Sequence, residues 1–93
     1  MNEGINILLI EDNKGDANLI NIYLKEAFSG AFTLHTTDYL KKGLELLAAN
    51  SFDIIIIDLN LPDSGGLDTF KAVYEAAPEK PIIVLTGMED ETL

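Results

Sequence analysis

Residues 52–62 read Phe52-Asp53-Ile54-Ile55-Ile56-Ile57-Asp58-Leu59-Asn60-Leu61-Pro62, with Gly65-Gly66 close behind. Four consecutive β-branched residues between polar neighbours describe a strand buried on both faces, as in a parallel sheet covered by helices. The Asp that ends the run has two readings. It stops the strand and opens a turn, or it projects into the region beyond the strand ends where open α/β sheets bind ligands.

The chain on either side repeats the same grammar. Ile5 to Ile10 is apolar apart from Asn6 and predicts a first strand, ending at Glu11-Asp12-Asn13. From Asp16, read as an N-cap, the residues Ala17, Ile20, Tyr23, Leu24, Ala27 and Phe28 follow helical spacing, with Gly30 past the end. Phe32 to Thr36 alternates and predicts a second, more exposed strand. Thr37 or Asp38 is positioned to cap a helix with Leu40, Leu44, Leu47 and Ala48 on one face, ending near Asn50; Gly43 weakens it by about 1 kcal/mol. Phe52 to Ile57 is the third strand. Leu67, Phe70, Tyr74 and Ala77 mark a third helix stopped before Pro78, and Pro81 to Leu85 a fourth strand ending at Thr86-Gly87. Met88 to Leu93 reads as the start of another helix, with Glu89-Asp90-Glu91 as its solvated first turn.

The order β-α-β-α-β-α-β with short connections predicts one α/β domain with a parallel sheet and right-handed crossovers. Glu11, Asp12, Asp58 and Thr86 each follow the last apolar residue of a strand, so this topology gathers them on one edge. Carboxylates brought together repel, which raises their pKa values or recruits a cation. Mg²⁺ suits one or two carboxylates and a phosphate oxygen better than Ca²⁺ does. A free Asp carboxylate beside such an ion is a nucleophile for phosphoryl groups, and Thr86 would supply a hydroxyl to a phosphoryl oxygen.

Composition narrows the classes further. The 93 residues carry 16 acidic and six basic side chains, all six Lys, for a formal net charge of -10. No basic block is available to neutralise phosphates, so neither nucleic acid nor an anionic membrane is expected as a direct partner. With no Cys, thiolate metal sites and disulfides are excluded, and the single His35, on the second strand, builds no zinc site. The N-terminus lacks the charge and cleavage site of a signal peptide, and no apolar run spans a bilayer, so a cytoplasmic location is expected. Tyr23, Tyr39 and Tyr74 are read as packing residues, and Asp63 and Ser64 as turn residues.

The junctions Ile7-Leu8-Leu9-Ile10-Glu11-Asp12-Asn13, Ile57-Asp58-Leu59-Asn60-Leu61-Pro62 with Gly66-Leu67, and Val84-Leu85-Thr86-Gly87 together resemble the receiver domains of two-component response regulators. The resemblance implies a flavodoxin-like doubly wound sheet of strand order 2-1-3-4. It implies Asp58 as phosphoacceptor from a histidine kinase or phosphotransfer protein, and Thr86 as the hydroxyl that meets the phosphoryl group. Mg²⁺ would be held by Asp12 and Asp58, by Glu11 through a water, and by the backbone carbonyl of Asn60. Pro62 and Gly66 would shape the loop, and a downstream protein would read the switch.

The family pattern continues through a fourth helix, a fifth strand ending in Lys, and a fifth helix. The resemblance therefore describes residues 1–93 as a receiver domain incomplete at its C-terminus, with strand four an exposed apolar edge. Lys80 precedes the fourth strand, at the wrong end of the sheet to replace that Lys, and Lys14 is read as a solvated loop residue. Two rivals stand beside the switch: a degenerate receiver used only for protein contact, and an aspartyl-phosphate phosphatase, against which Asn60 counts because such enzymes carry an acid/base Asp two residues after the nucleophile.

Overall fold

Alternate residues of β1 (Ile5–Ile10) and β3 (Ile54–Asp58) face opposite sides of a sheet, and both sides are apolar. The computed structural model describes residues 4–29 and 31–85. In it α1 (Lys14–Phe28) covers one side, where Ile7, Leu9 and Ile56 meet Ile20. The other side, with Leu8, Ile10, Ile55 and Ile57, is covered by α2 (Leu40–Ala49) and α3 (Leu67–Ala76) through Leu40 and Val73. With β2 (Phe32–Thr37) and β4 (Ile82–Leu85), the four strands are parallel in the order β2-β1-β3-β4.

The four strands and three helices read from the sequence are all present, and the helix start read at Met88 to Leu93 lies outside the described residues. The details of that reading need correction at several places. Asp58 lies inside β3, opposite Leu85 of β4, whereas Phe52 is buried ahead of the ladder. The N-cap of α1 is Asn13, not Asp16: its Oδ1 accepts the Asp16 N–H at 2.8 Å, and Asp16 falls in the first turn. Gly30 is outside the described residues, and the left-handed residue that ends α1 is Ser29, at φ 54°. Neither Thr37 nor Asp38 caps α2; the cap position is Tyr39, which makes no side-chain cap hydrogen bond. Ala48 is exposed rather than in the apolar face.

The inward face of α3 is also rotated from the one read. Leu67 is 72% exposed and Tyr74 50%, while Thr69 and Val73 are wholly buried. Of the residues read as its inward face, Phe70 and Ala77 pack against the core, and Leu67 and Tyr74 do not. Tyr23 and Tyr39 are exposed as well, so only Tyr74 packs on an aromatic neighbour, stacking on Phe70 at 5.9 Å. His35 is exposed on β2, its ring nearly perpendicular to that of Phe52 at 5.3 Å between centroids. Ile83 on β4, the outermost described strand on that side, is 49% exposed, as expected of an edge.

Two glycines shape the functional side. Gly43 is buried, and a Cβ there would meet the Ile10 side chain, 3.0 Å from Cγ1. Gly66, at φ 62° and ψ -145°, turns the β3–α3 loop into the helix with open space around its Cα. That backbone region is essentially restricted to Gly, so Gly66→Ala should lower unfolding free energy by about 1–3 kcal/mol in a urea titration, through backbone strain alone.

Candidate functional site

Because β1 and β3 are adjacent and parallel, with Ile10 opposite Ile57, their next residues emerge side by side. Glu11, Asp12 and Asp58 each bring a carboxylate oxygen within 4.8 Å of the others. Together with Asn13 and Asn60 they line an open cleft of about 330 Å³. Thr86 lies outside the described residues. The sequence reading of one acidic cluster at the strand ends is thus reproduced for its carboxylates.

The three acids differ sharply in environment. Glu11 continues β1, its N–H donating to the Thr37 carbonyl at 2.9 Å, and is only 3% exposed. Its carboxylate accepts the Asn13 N–H at 3.1 Å. Burial, then the charge and hydrogen bond of Asp58 and the charge of Asp16, outweigh that hydrogen bond and raise its pKa from 4.5 to about 7. Asp12 is exposed and Asp58 half-buried. Asp58 Oδ1 accepts the Asn60 N–H at 3.1 Å, so the carboxylate both opens a turn and faces the cleft. The two readings of Asp58 are compatible.

The loop after Asp58 is built around partly buried hydrogen bonds. The Leu59 carbonyl accepts from Gly66 N–H at 2.9 Å and from Thr69 Oγ1 at 3.0 Å. Thr69 has spent its proton there, so its 2.7 Å contact with Ser64 Oγ has Ser64 as donor. Leu61 and Ser64 pair through their backbones, at 2.8 and 3.3 Å. Asp63 reaches further, accepting the N–H groups of Leu40 at 2.8 Å and Lys41 at 3.0 Å. Those two donors hold its carboxyl below the ordinary value.

Sequence reasoning missed Asn13, Thr69 and Asp63. Asn13-Lys14-Gly15-Asp16 carries a local signal, an Asx residue three before an acid. Thr69 and Asp63 carry none, since each acts through a fold-dependent partner.

The donor set is all oxygen, and burial beside other acids raises the pKa of one of its members, Glu11, to about 7. A hard divalent cation fits that set, and Glu11, Asp12 and Asp58 could supply carboxylates to it. An adjoining hollow of about 360 Å³ between the β1–α1 and β2–α2 connections adds Lys14, Lys42, Thr36 and Thr37 beside Glu11 and Asp12.

A doubly wound parallel sheet with a carboxylate cluster at its carboxyl edge defines a flavodoxin-like domain with an acidic pocket. The chain belongs to the response regulator receiver domain family, whose model matches residues 7–93. It is 37% identical over 84 residues to the cell cycle transcriptional regulator CtrA of Caulobacter vibrioides, covering 90% of this chain and 35% of that protein. It is 38% identical over 82 residues to the cell cycle response regulator CtrA of Brucella ovis, covering 88% and 34%. The chain thus spans about a third of the length of these relatives. The phosphorylated cyanobacterial phytochrome response regulator RcpA superposes with a TM-score of 0.80 at 25% identity, covering 94% of this chain and 68% of that one. The protein is a receiver-type signalling domain, and no helix among the described residues is long and apolar enough to cross a membrane.

Proposed function

We propose that this domain accepts a phosphoryl group on Asp58 from a histidine kinase or phosphotransfer protein and passes the signal to a downstream protein. The observation that carries the reading is the convergence of Glu11, Asp12 and Asp58 on one cleft. An Asp58 oxygen attacks phosphorus, the bond from phosphorus to the donor's imidazole nitrogen breaks, and the imidazole leaves with a proton from solvent. Asn60 N–H, donating to Asp58 Oδ1, fixes the rotamer that leaves the other oxygen free to attack.

Mg²⁺ held by Asp12, Asp58 and the Asn60 carbonyl, with Glu11 acting through a water, would supply the positive charge that phosphoryl oxygens require beside so many carboxylates. Thr86, by its place after β4, is proposed to donate its hydroxyl to the transferred group. Because the phosphoryl group replaces the carboxylate's own charge, the product adds only about one net negative charge, together with three acceptor oxygens, at one strand end, enough to bias a bistable loop. Direct nucleic-acid contact by these residues is not part of the proposal, given the net charge of -10.

Incubation with Mg²⁺ and a small acyl phosphate should add one alkali-labile phosphoryl group by mass spectrometry, and Asp58→Asn should remove essentially all of it. Equal labelling of Asp58→Asn would show that another residue is the acceptor. Continuous release of phosphate from unrelated monoesters would instead identify a phosphatase.

A further inference from the structure

The loop from Leu59 to Gly66 is closed on itself and on α3 by the Leu59, Leu61, Ser64 and Thr69 hydrogen bonds. Among its described hydrogen bonds, only those of Asp63 tie it to α2. One carboxylate takes two consecutive N–H groups, from Leu40 and Lys41, at the start of a helix whose own cap residue, Tyr39, makes no side-chain cap hydrogen bond. The partners are 23 and 22 residues away, so the contact exists only because α2 and the β3–α3 loop sit on the same side of the sheet. The opening N–H groups of a helix need acceptors, and a carboxylate there also meets the positive end of the helix dipole.

Three residues before Asp63, Asn60 lines the acidic cleft and donates its N–H to Asp58 Oδ1. Between them Leu61 is buried in the core shared with Leu40, and Pro62 restricts the backbone. The segment from Asn60 to Asp63 is therefore held at the cleft end by Asp58, in the middle by Leu61, and at the far end by α2.

We propose that Asp63 is a positioning residue for the cation and phosphoryl site, clamping the β3–α3 loop to the N-terminus of α2 so that Asn60 is held in place against the cleft. The proposal rests on the cleft being a Mg²⁺ and phosphoryl site. Released from α2, the loop keeps its internal turn but gains freedom at the Asn60 peptide, and a site that needs a fixed acceptor there loses preorganisation. Coupling of this kind is reciprocal, so Mg²⁺ binding should in turn slow hydrogen exchange of the Leu40 and Lys41 amides.

The test must separate positioning from simple stabilisation of α2. Asp63→Ala removes the clamp and the cap together. Tyr39→Asp in the same chain returns a capping carboxylate, and the lost charge, to α2 from its own cap position, but leaves the loop untied. Mg²⁺ titrations followed by NMR, with thermal melts in EDTA, should be run on the parent, Asp63→Ala, Asp63→Asn and the double variant. Asp63→Ala should melt lower and bind Mg²⁺ roughly tenfold more weakly, the low end of what loss of an outer-shell partner costs. The double variant should regain the melting temperature without regaining the affinity. Asp63→Asn, with a single acceptor left, should stay folded and bind with intermediate strength.

Recovery of Mg²⁺ affinity along with melting temperature in the double variant, or unchanged affinity in Asp63→Ala and Asp63→Asn, would overturn the proposal and leave Asp63 a cap. A parent that binds no Mg²⁺ at all would overturn the cation site itself.

Discussion

In EDTA the thermal stability of this domain should fall as pH is raised from about 5 to about 8, and Mg²⁺ should oppose that fall. The cause is Glu11, whose pKa is raised from 4.5 to about 7, first by burial and then by Asp58 and Asp16. Below the lower value the carboxyl is protonated whether the chain is folded or not, and folding meets no penalty. Above the higher value the folded protein must hold a desolvated anion that the unfolded chain hydrates. The stability is therefore present at acid pH and lost as pH rises through about 7. At about 1.4 kcal/mol per pH unit the gap corresponds to roughly 3 kcal/mol, reduced to about 2 kcal/mol by solvent in the open cleft. For a domain of this size that is about 10 °C in Tm.

Asp63 works in the opposite sense at lower pH. Its pKa is depressed below 3.8 by the Lys41 and Leu40 N–H groups, so its contribution is present above that value and lost as pH drops further. The metal-free optimum should thus fall at about pH 4–5, between the two effects. At the proposed site Mg²⁺ would compete with protons for the acidic cluster, so its stabilisation should grow with pH, and the interval between melts with and without Mg²⁺ should widen from pH 5 to pH 8. Glu11→Gln should flatten the metal-free profile over that range. A variant that keeps the parent's slope, or a Mg²⁺ shift equal at both pH values, would contradict the assignment to Glu11.

The legible part of this fold was its apolar grammar. Ile54 to Ile57 announces a strand with no solvent face, and it is covered on one side by α1 and on the other by α2 and α3. Parallel pairing then brings Glu11 and Asp12 to Asp58 without knowledge of any loop conformation. What failed was whatever depends on partners distant in sequence. Asp63 looked like a turn residue because its partners lie more than 20 positions upstream, at the start of α2. The face of α3 was misjudged because Leu67 and Tyr74 outrank Thr69 in apolar size, although Thr69 can be buried once Leu59 and Ser64 satisfy its hydroxyl. Asp16 and Asn13 are both competent caps, and the choice depended on where the chain leaves β1. Gly43 read as a weakness in α2, yet its missing Cβ is what lets the helix approach β1.

That close approach carries the second large effect. Ile10 is fully buried on the α2 side of the sheet, opposite Thr37 and Ile57, and immediately precedes Glu11. Ile10→Ala should reduce unfolding free energy by about 2–5 kcal/mol, a large part of the roughly 5–15 kcal/mol typical of a native protein. Gly43→Ala sets two terms against each other: a gain of about 1 kcal/mol in helix propensity and about 1–3 kcal/mol of overpacking against Ile10. Because the new methyl would approach the Ile10 side chain to 3.0 Å at Cγ1 and closer at its end, overpacking should win and the single variant should be destabilised. In the Ile10→Ala background the obstruction is gone and the methyl enters vacated space, so the same substitution should become stabilising by about 1 kcal/mol, the propensity gain. Urea titrations of the four proteins give the interaction energy directly. A change of sign places Gly43 against Ile10 as described, whereas effects that add within about 0.5 kcal/mol, the behaviour of independent sites, would mean that α2 is not seated on this residue. The same cycle bears on the site, because a displaced α2 carries the Leu40 and Lys41 N–H groups away from Asp63. Gly43→Ala alone should therefore weaken Mg²⁺ binding although no atom of Gly43 faces the cleft, and Ile10→Ala in the same chain should restore part of it.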